Sequence, residues 1–212
     1  MNNEYDRQIP VLRIYTRNCE FVLPFIAEEM SDYRIEPTDC IDKADVSVID
    51  PCSISSTGEL VIDDIECYDS NKESLILCCP NIVGTGMTGL PMYLAKSIVR
   101  GTYFHFNDNL TRISTVHAID VARAVKTTIG EKGIFVVTDC MMPTFYEFSE
   151  ALAYRLNQKR ILTLSSKWTR WIMGGKMKKI LSKDIAFDGS GFAKLFGFKP
   201  VIVTEYLKGD NF

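Results

Sequence analysis

The sequence predicts an α/β fold in which a parallel sheet is flanked by helices, and three observations carry that expectation. Short apolar runs of strand character alternate with stretches whose apolar residues recur at helical spacing. The chain opens in this way, with residues 11–16 as a strand and Phe21, Val22, Leu23, Phe25, Ile26 and Met30 as the apolar stripe of a helix. Its 212 residues, 46% hydrophobic and 24% charged, suffice for one full core with a minor lobe, and exclude a disordered, collagen-like or coiled-coil chain.

The remaining elements follow in order. Residues 33–37 and 44–49 read as a second and a third strand, the latter running into a turn-rich stretch at 50–58, so the opening is βαβ-like but crowded. Residues 74–83 are an apolar run ending in Pro80-Asn81, and 90–100 carry the Leu90, Tyr93, Leu94, Ser97, Ile98 stripe of an amphipathic helix. A short strand at 103–106 precedes a helix at 119–129, with Asp120 in its N-cap region and Gly130 as its stop. Residues 134–138 are β-branched and aromatic, as strands prefer. Residues 144–156 open with Thr144 and Glu147 at capping-box spacing and keep Phe148, Ala151, Leu152 and Leu156 on one face.

Charge narrows the functional classes. With 24 basic against 27 acidic residues the net charge is −3, too balanced for a protein that grips nucleic acid through counterion release. The charges are unevenly placed: residues 28–73 hold 14 acids and 3 bases, whereas 157–183 hold 8 bases and no acid. That basic stretch is either a solvated face or a phosphate-facing surface. No apolar run approaches the ~18 residues that span a bilayer, and residues 1–10 lack the apolar core of a signal peptide, so the expectation is a cytoplasmic protein with no stable membrane insertion. Seven scattered cysteines without a Cys-x-x-Cys pair, beside only two histidines, predict free buried thiols and no metal site.

Four segments then appear in an order that resembles a known family: Pro80-Asn81-Ile82-Val83-Gly84-Thr85-Gly86, Arg112 through Ala124 with its Val116-His117-Ala118-Ile119-Asp120-Val121-Ala122 core, Gly133 through Asp139, and Phe187-Asp188 closing with Leu195-Phe196-Gly197-Phe198-Lys199-Pro200. Over residues 77–212 the chain resembles the extended short-chain dehydrogenase/reductases, the NAD(P)-dependent nucleotide-sugar epimerases and dehydratases. The resemblance implies a shortened Rossmann-like parallel sheet over about residues 1–140, with a small mixed α/β substrate lobe at 141–212 to which 85–105 contribute. It also implies NAD or NADP as cofactor and a sugar nucleotide as partner. It makes the Asp of the Val-His segment a helix cap and His117 a packing residue, while His105 reads as a strand residue on an alternating exposed face.

The same resemblance assigns candidate site residues. Members of the family use a Ser or Thr and a Tyr-x-x-x-Lys, the Lys lowering the Tyr pKa so that the phenolate takes a proton as hydride passes to the nicotinamide. Ser53, Tyr68 and Lys72 match these types in order, with only about ten residues from Gly58 to Tyr68 and no room before residue 75 for the family's long helix. The dimer interface to which that helix contributes is expected to be missing. Arg112 matches a diphosphate contact; Asn81, by its own position after the strand that ends in Pro80, is placed to hydrogen-bond the sugar or its phosphate from the floor of the cleft.

The cofactor turn departs from the pattern. Family members place glycines after the first strand so that the backbone approaches a pyrophosphate at a helix N-terminus; here those positions read Arg17, Glu20 and Leu23. A literal Gly-x-Gly-x-x-Gly occurs instead at Gly84, Gly86 and Gly89. It is either a substrate-side loop or the cofactor site, with Asp108 at a distance suited to a ribose contact. Two functions stay open: an NAD(P)-dependent enzyme acting on a sugar nucleotide, and a degenerate relative that binds a sugar nucleotide or regulates without turnover.

Overall fold

The computed structural model describes residues 9–55, 60–63, 74–106, 110–158, 161–164 and 184–209. Strand β1 (Val11–Arg17) alternates as its sequence dictates, Leu12 and Ile14 pointing into the core and Val11 and Arg13 out of it. It lies between β2 (Arg34–Thr38) and β3 (Val46–Ile49), with Ile14 opposite Pro37 on one side and Val46 on the other. Next to β3 come β6 (Leu75–Cys78) and β10 (Gly133–Val136), so the five parallel strands run in the order β2-β1-β3-β6-β10. Pro37, which cannot donate to a further strand, sits on the edge strand β2 and blunts it against pairing with another chain.

One face of this sheet carries the larger core. Helix α1 (Leu23–Glu29) starts with Pro24 in its first turn, where the missing amide costs nothing, and turns Ile26 inward with Val22 and Met30. Beside it α3 (Ala118–Thr128) buries Val121, Ala122, Ala124 and Val125, and Lys126 reaches Glu29 at 2.8 Å. Helix α5 (Ser190–Phe196) adds Phe192 and Phe196 around Phe135 of β10, their ring centroids 6.1 and 5.3 Å away. On the opposite face Ile49, Ile76 and Cys78 form a smaller cluster with Ile41, Ile134 and Val136, which includes no α-helical residue among those described. A parallel sheet normally has helices on both faces; here α1, α3 and α5 lie on one, and the other described helices pack in a separate core.

The lobe, a second packed unit, gathers its core from residues within 52–113 as well as within 145–207. Helix α4 (Phe145–Arg155) has the expected capping box, Thr144 accepting from the Glu147 amide and Glu147 from the Thr144 amide. It packs Phe145, Phe148 and Leu152 against Leu90 and Leu94 of α2 (Gly89–Val99) and against Val203 and Leu207 of α6 (Val203–Lys208). Asp139, at the end of β10, joins the two cores by accepting from Thr115 Oγ1 at 2.8 Å and from the Val203 amide at 3.2 Å.

Three local expectations are corrected. Residues 52–54 form a strand, β4 (Cys52–Ile54), paired antiparallel with β5 (Leu60–Ile62), because Cys52 and Ile54 join the lobe core with Leu60 and Ile62. The N-cap of α3 is His117, whose Nδ1 accepts from the Ile119 amide at 3.3 Å. Asp120 lies within the first turn, fully buried, where it binds Arg123 at 2.6 Å and the Val201 amide at 2.6 Å, so it clamps the C-terminal segment to α3. His105, in β8 (His105–Phe106), is only 2% exposed and meets Glu150 at 2.6 Å; burial lowers its pKa while the carboxylate opposes that shift. Four cysteines, Cys19, Cys52, Cys78 and Cys79, are buried free thiols, and among the described residues no group of His, Cys, Asp and Glu could hold a metal. No described helix is long and apolar enough to cross a membrane.

Candidate functional site

In an open parallel sheet, ligands bind beyond the carboxyl ends of the strands where the strand order reverses. That point lies here between β1 and β3. The chain closes it with its own atoms. After β1 the backbone turns through Asn18, held in the left-handed region at φ 62, and Asn18 Nδ2 donates to the Asp50 carbonyl at 3.0 Å. The Asp50 amide donates to the Arg17 carbonyl at 3.0 Å, and the Cys19 thiol donates to the Val48 carbonyl at 3.4 Å. These bonds lace the end of β1 to the end of β3 across the switch point.

The next residues carry the closure further. A short 3₁₀ turn (Glu20–Val22) leads into α1, and at its centre is Phe21. A Cβ built on Gly86 would lie 3.5 Å from the Cβ of Phe21, and Thr88 Oγ1 donates to the Asn18 carbonyl at 2.9 Å. The turn after β1 is therefore seated on the loop that precedes α2. Arg17, at the first glycine position, is committed to an ion pair with Asp63 at 3.1 Å.

The glycines of that loop face protein atoms. Gly84 lets the loop pass α3 closely, since a Cβ there would stand 2.8 Å from the Cβ of Ala118. Gly89, at φ +60, lies against the Cys52 carbonyl. Among the described residues the preceding strand β7 (Ile82–Val83) pairs with β9 (Val116–His117) alone and is not part of the five-stranded sheet. The loop thus has the letters of a dinucleotide fingerprint and a different place in the topology.

The other candidate residues are dispersed. Ser53 is half-buried on β4, opposite Val61, while Tyr68, Lys72 and Asp108 fall outside the described residues. Asn81 is fully buried at φ 50, and its Nδ2 donates to the Ser114 carbonyl at 2.9 Å. Arg112 is exposed on the lobe, its amide fixed by the Asp184 carboxylate at 2.8 Å, and its charge helps to hold Glu147 below the usual carboxylate range, after the larger effect of the Thr144 hydrogen bonds.

Sequence reasoning passed over the residue at the centre of the site. Asp50, 3% exposed, accepts at Oδ1 from the Cys52 amide at 2.9 Å and the Asn81 amide at 3.1 Å, and so joins β3, β4 and β7. Burial raises its pKa to about 7 against the opposing pull of these amides. The available signal was an acid directly after the fully buried run Val46–Ile49, a position at the carboxyl edge of a central strand. Dinucleotide does not fit this crevice: no glycine opens the turn, Glu20 adds negative charge beside it, and side chains of the chain bridge it.

Known proteins place the fold. No family model matches the chain, and no curated protein matches it. Among solved structures it is similar to a human epimerase family protein with NADPH at 10% identity and TM-score 0.59, over 93% of this chain and 98% of that one. It is similar to a UDP-N-acetylglucosamine 4-epimerase from Bacillus cereus at 12% identity and TM-score 0.55, over 93% and 97%. A dTDP-4-dehydrorhamnose reductase from Bacillus anthracis in complex with NADP gives 11% identity and TM-score 0.59, over 93% and 96%. With its five parallel strands and flanking helices, the chain has a Rossmann-like α/β fold similar to that of these structures.

Proposed function

We propose that this chain is a non-catalytic relative of the nucleotide-sugar epimerases, dehydratases and reductases, one that binds a sugar nucleotide through its C-terminal lobe without a dinucleotide. The observation that carries the reading is the seating of the Asn18–Phe21 turn on the Gly84–Thr88 loop, which fills the crevice where a pyrophosphate would lie. A hydride-transfer mechanism needs the nicotinamide held against substrate, and a crevice occupied by Phe21 and Asn18 offers it no cradle. The lobe is the better-built half for a ligand, with its own core and an exposed cation, Arg112, whose backbone is pinned on both sides by Asp184 and Ile185.

Calorimetric titration with NAD, NADP, UDP and UDP-sugars tests this. The expected result is heat with UDP or a UDP-sugar and none with either dinucleotide. Arg112→Ala should weaken the UDP-sugar at least about tenfold, as the loss of a charge-assisted contact of ~1.4 kcal/mol would. Micromolar binding of NAD or NADP would overturn the reading, and turnover abolished by Tyr68→Phe would replace it with the family's enzymatic mechanism.

A further inference from the structure

Helices α2 and α4 end in the same kind of turn, and both ends open on one hollow. After α2, Gly101 takes the left-handed conformation at φ +67, and the Thr102 amide donates back to the Ser97 carbonyl at 2.9 Å. After α4, Asn157 does so at φ 52, and the Gln158 amide donates to the Ala153 carbonyl at 2.9 Å. The segments leading into β8 and β11 (Thr163–Leu164), tied by the His105 amide to the Leu162 carbonyl at 2.9 Å, form the remaining wall. The hollow measures about 430 Å³, within the ~300–1,000 Å³ of small-molecule sites. It is remote from Arg112, which bridges Thr144 at the other end of the 11-residue helix α4, ~16 Å away.

The walls are apolar and uncharged. Val99, on the last turn of α2, and Leu162, before β11, line the hollow while remaining 54% and 66% exposed, so two large apolar side chains face water inside a concavity. Phe104 and Tyr103 add aromatic rings, and the Tyr103 hydroxyl is taken up by Ser149 Oγ at 3.1 Å, so this residue offers its ring and not its polar end. The polar side chains on the wall are the carboxamides of Asn157 and Gln158. Gln158 Nε2 donates to the Leu156 carbonyl at 3.2 Å, which leaves Oε1 to accept from a ligand. None of the described residues that line the hollow is charged, so an ionic ligand would lose hydration there without a counter-ion.

We propose that this hollow is a ligand site for an uncharged aromatic or heteroaromatic ring that carries an amide-like edge, with one donor and one acceptor. The ring lies against Phe104 and Tyr103, its apolar flank covers Val99 and Leu162, and its polar edge meets the carboxamides of Asn157 and Gln158. The site is independent of the closed crevice and of sugar-nucleotide binding at Arg112, and neither of these depends on it.

Benzamide, benzoate and benzylamine present one ring with three charges, and methyl NMR of the full chain reads their binding. The methyl groups of Val99 and Leu162 report the hollow, and those of Val125, buried in the main core, are the control. Benzamide should shift Val99 and Leu162 saturably, with a Kd in the millimolar range that a ligand of this size can reach, and leave Val125 unmoved. Benzoate and benzylamine should bind at least about tenfold more weakly. Leu162→Asp, a change at an exposed position, should abolish the benzamide shift at Val99 and make benzylamine the preferred probe. No saturable shift at Val99 and Leu162 in wild type, or equal affinity for the three probes, would overturn the proposal. That comparison needs no variant, so it decides even if Leu162→Asp fails to fold; a folded Leu162→Asp that binds benzamide as wild type does would also overturn it.

Discussion

Two strand-turn-helix segments of this chain carry opposite signals. The segment after β1 occupies the switch point of the sheet and has Arg17, Glu20 and Leu23 where glycines would open it. The segment before α2 has Gly84, Gly86 and Gly89 but follows a strand that lies outside the main sheet. In the structure each meets the other: Phe21 and Asn18 of the first rest on Gly86 and Thr88 of the second. Glycines without the switch point serve packing, and the switch point without glycines is filled by side chains. A phosphate cradle needs both.

The comparison breaks most easily at Asp50, which stands between the two segments. Its folded-state pKa is raised to about 7 by burial, so the sign is that of a group stabilising the fold below its unfolded value near ~4, with that contribution lost as pH rises to about 7. Thermal or urea unfolding should therefore show wild type losing stability across this window, by up to about 4 kcal/mol, and Asp50→Asn losing little. A wild type as stable at pH 7.5 as at pH 5 would contradict the burial argument.

Gly84 and Gly86 sharpen the difference between packing and binding roles. Gly84→Ala forces a methyl group into the Ala118 side chain, 2.8 Å away, and should cost ~1–3 kcal/mol in denaturant unfolding without any ligand present. Gly86→Ala meets nothing closer than 3.5 Å but keeps φ at +81, so it should cost ~1–2 kcal/mol from backbone strain. Loss of stability in the absence of ligand is the signature of packing; unchanged stability would return the loop to the cofactor. The smallest effect is expected at Thr88→Ala, which removes one exposed hydrogen bond and should cost ~0.5–1.5 kcal/mol, with faster exchange at Val22.

Much of the fold was legible because its signals are local. The alternation of Leu12 and Ile14, the Thr144–Glu147 capping box and the apolar face of α4 are readable from spacing, and each forms as expected. The antiparallel pairing of β4 with β5 was not legible, since the turn-rich character of residues 50–58 hid a strand whose Cys52 and Ile54 pack into the second core. His117 took the cap expected of Asp120 because Asp120 was drawn inward by the Val201 amide, a partner 81 residues away. The site was legible only by its losses. Arg17, Glu20 and Leu23 announce an altered turn, but that Asn18 would bridge to Asp50 and Thr88 to Asn18 depends on contacts 32 and 70 residues apart, which no local pattern encodes.

The most direct test of the closed crevice is calorimetric titration of the wild-type protein with NAD and NADP. The account predicts no saturable heat with either dinucleotide, because the turn after β1 is seated on the loop before α2. Saturable micromolar binding, lost in Gly86→Asp, would contradict it and make the Gly84–Gly89 loop a cofactor site.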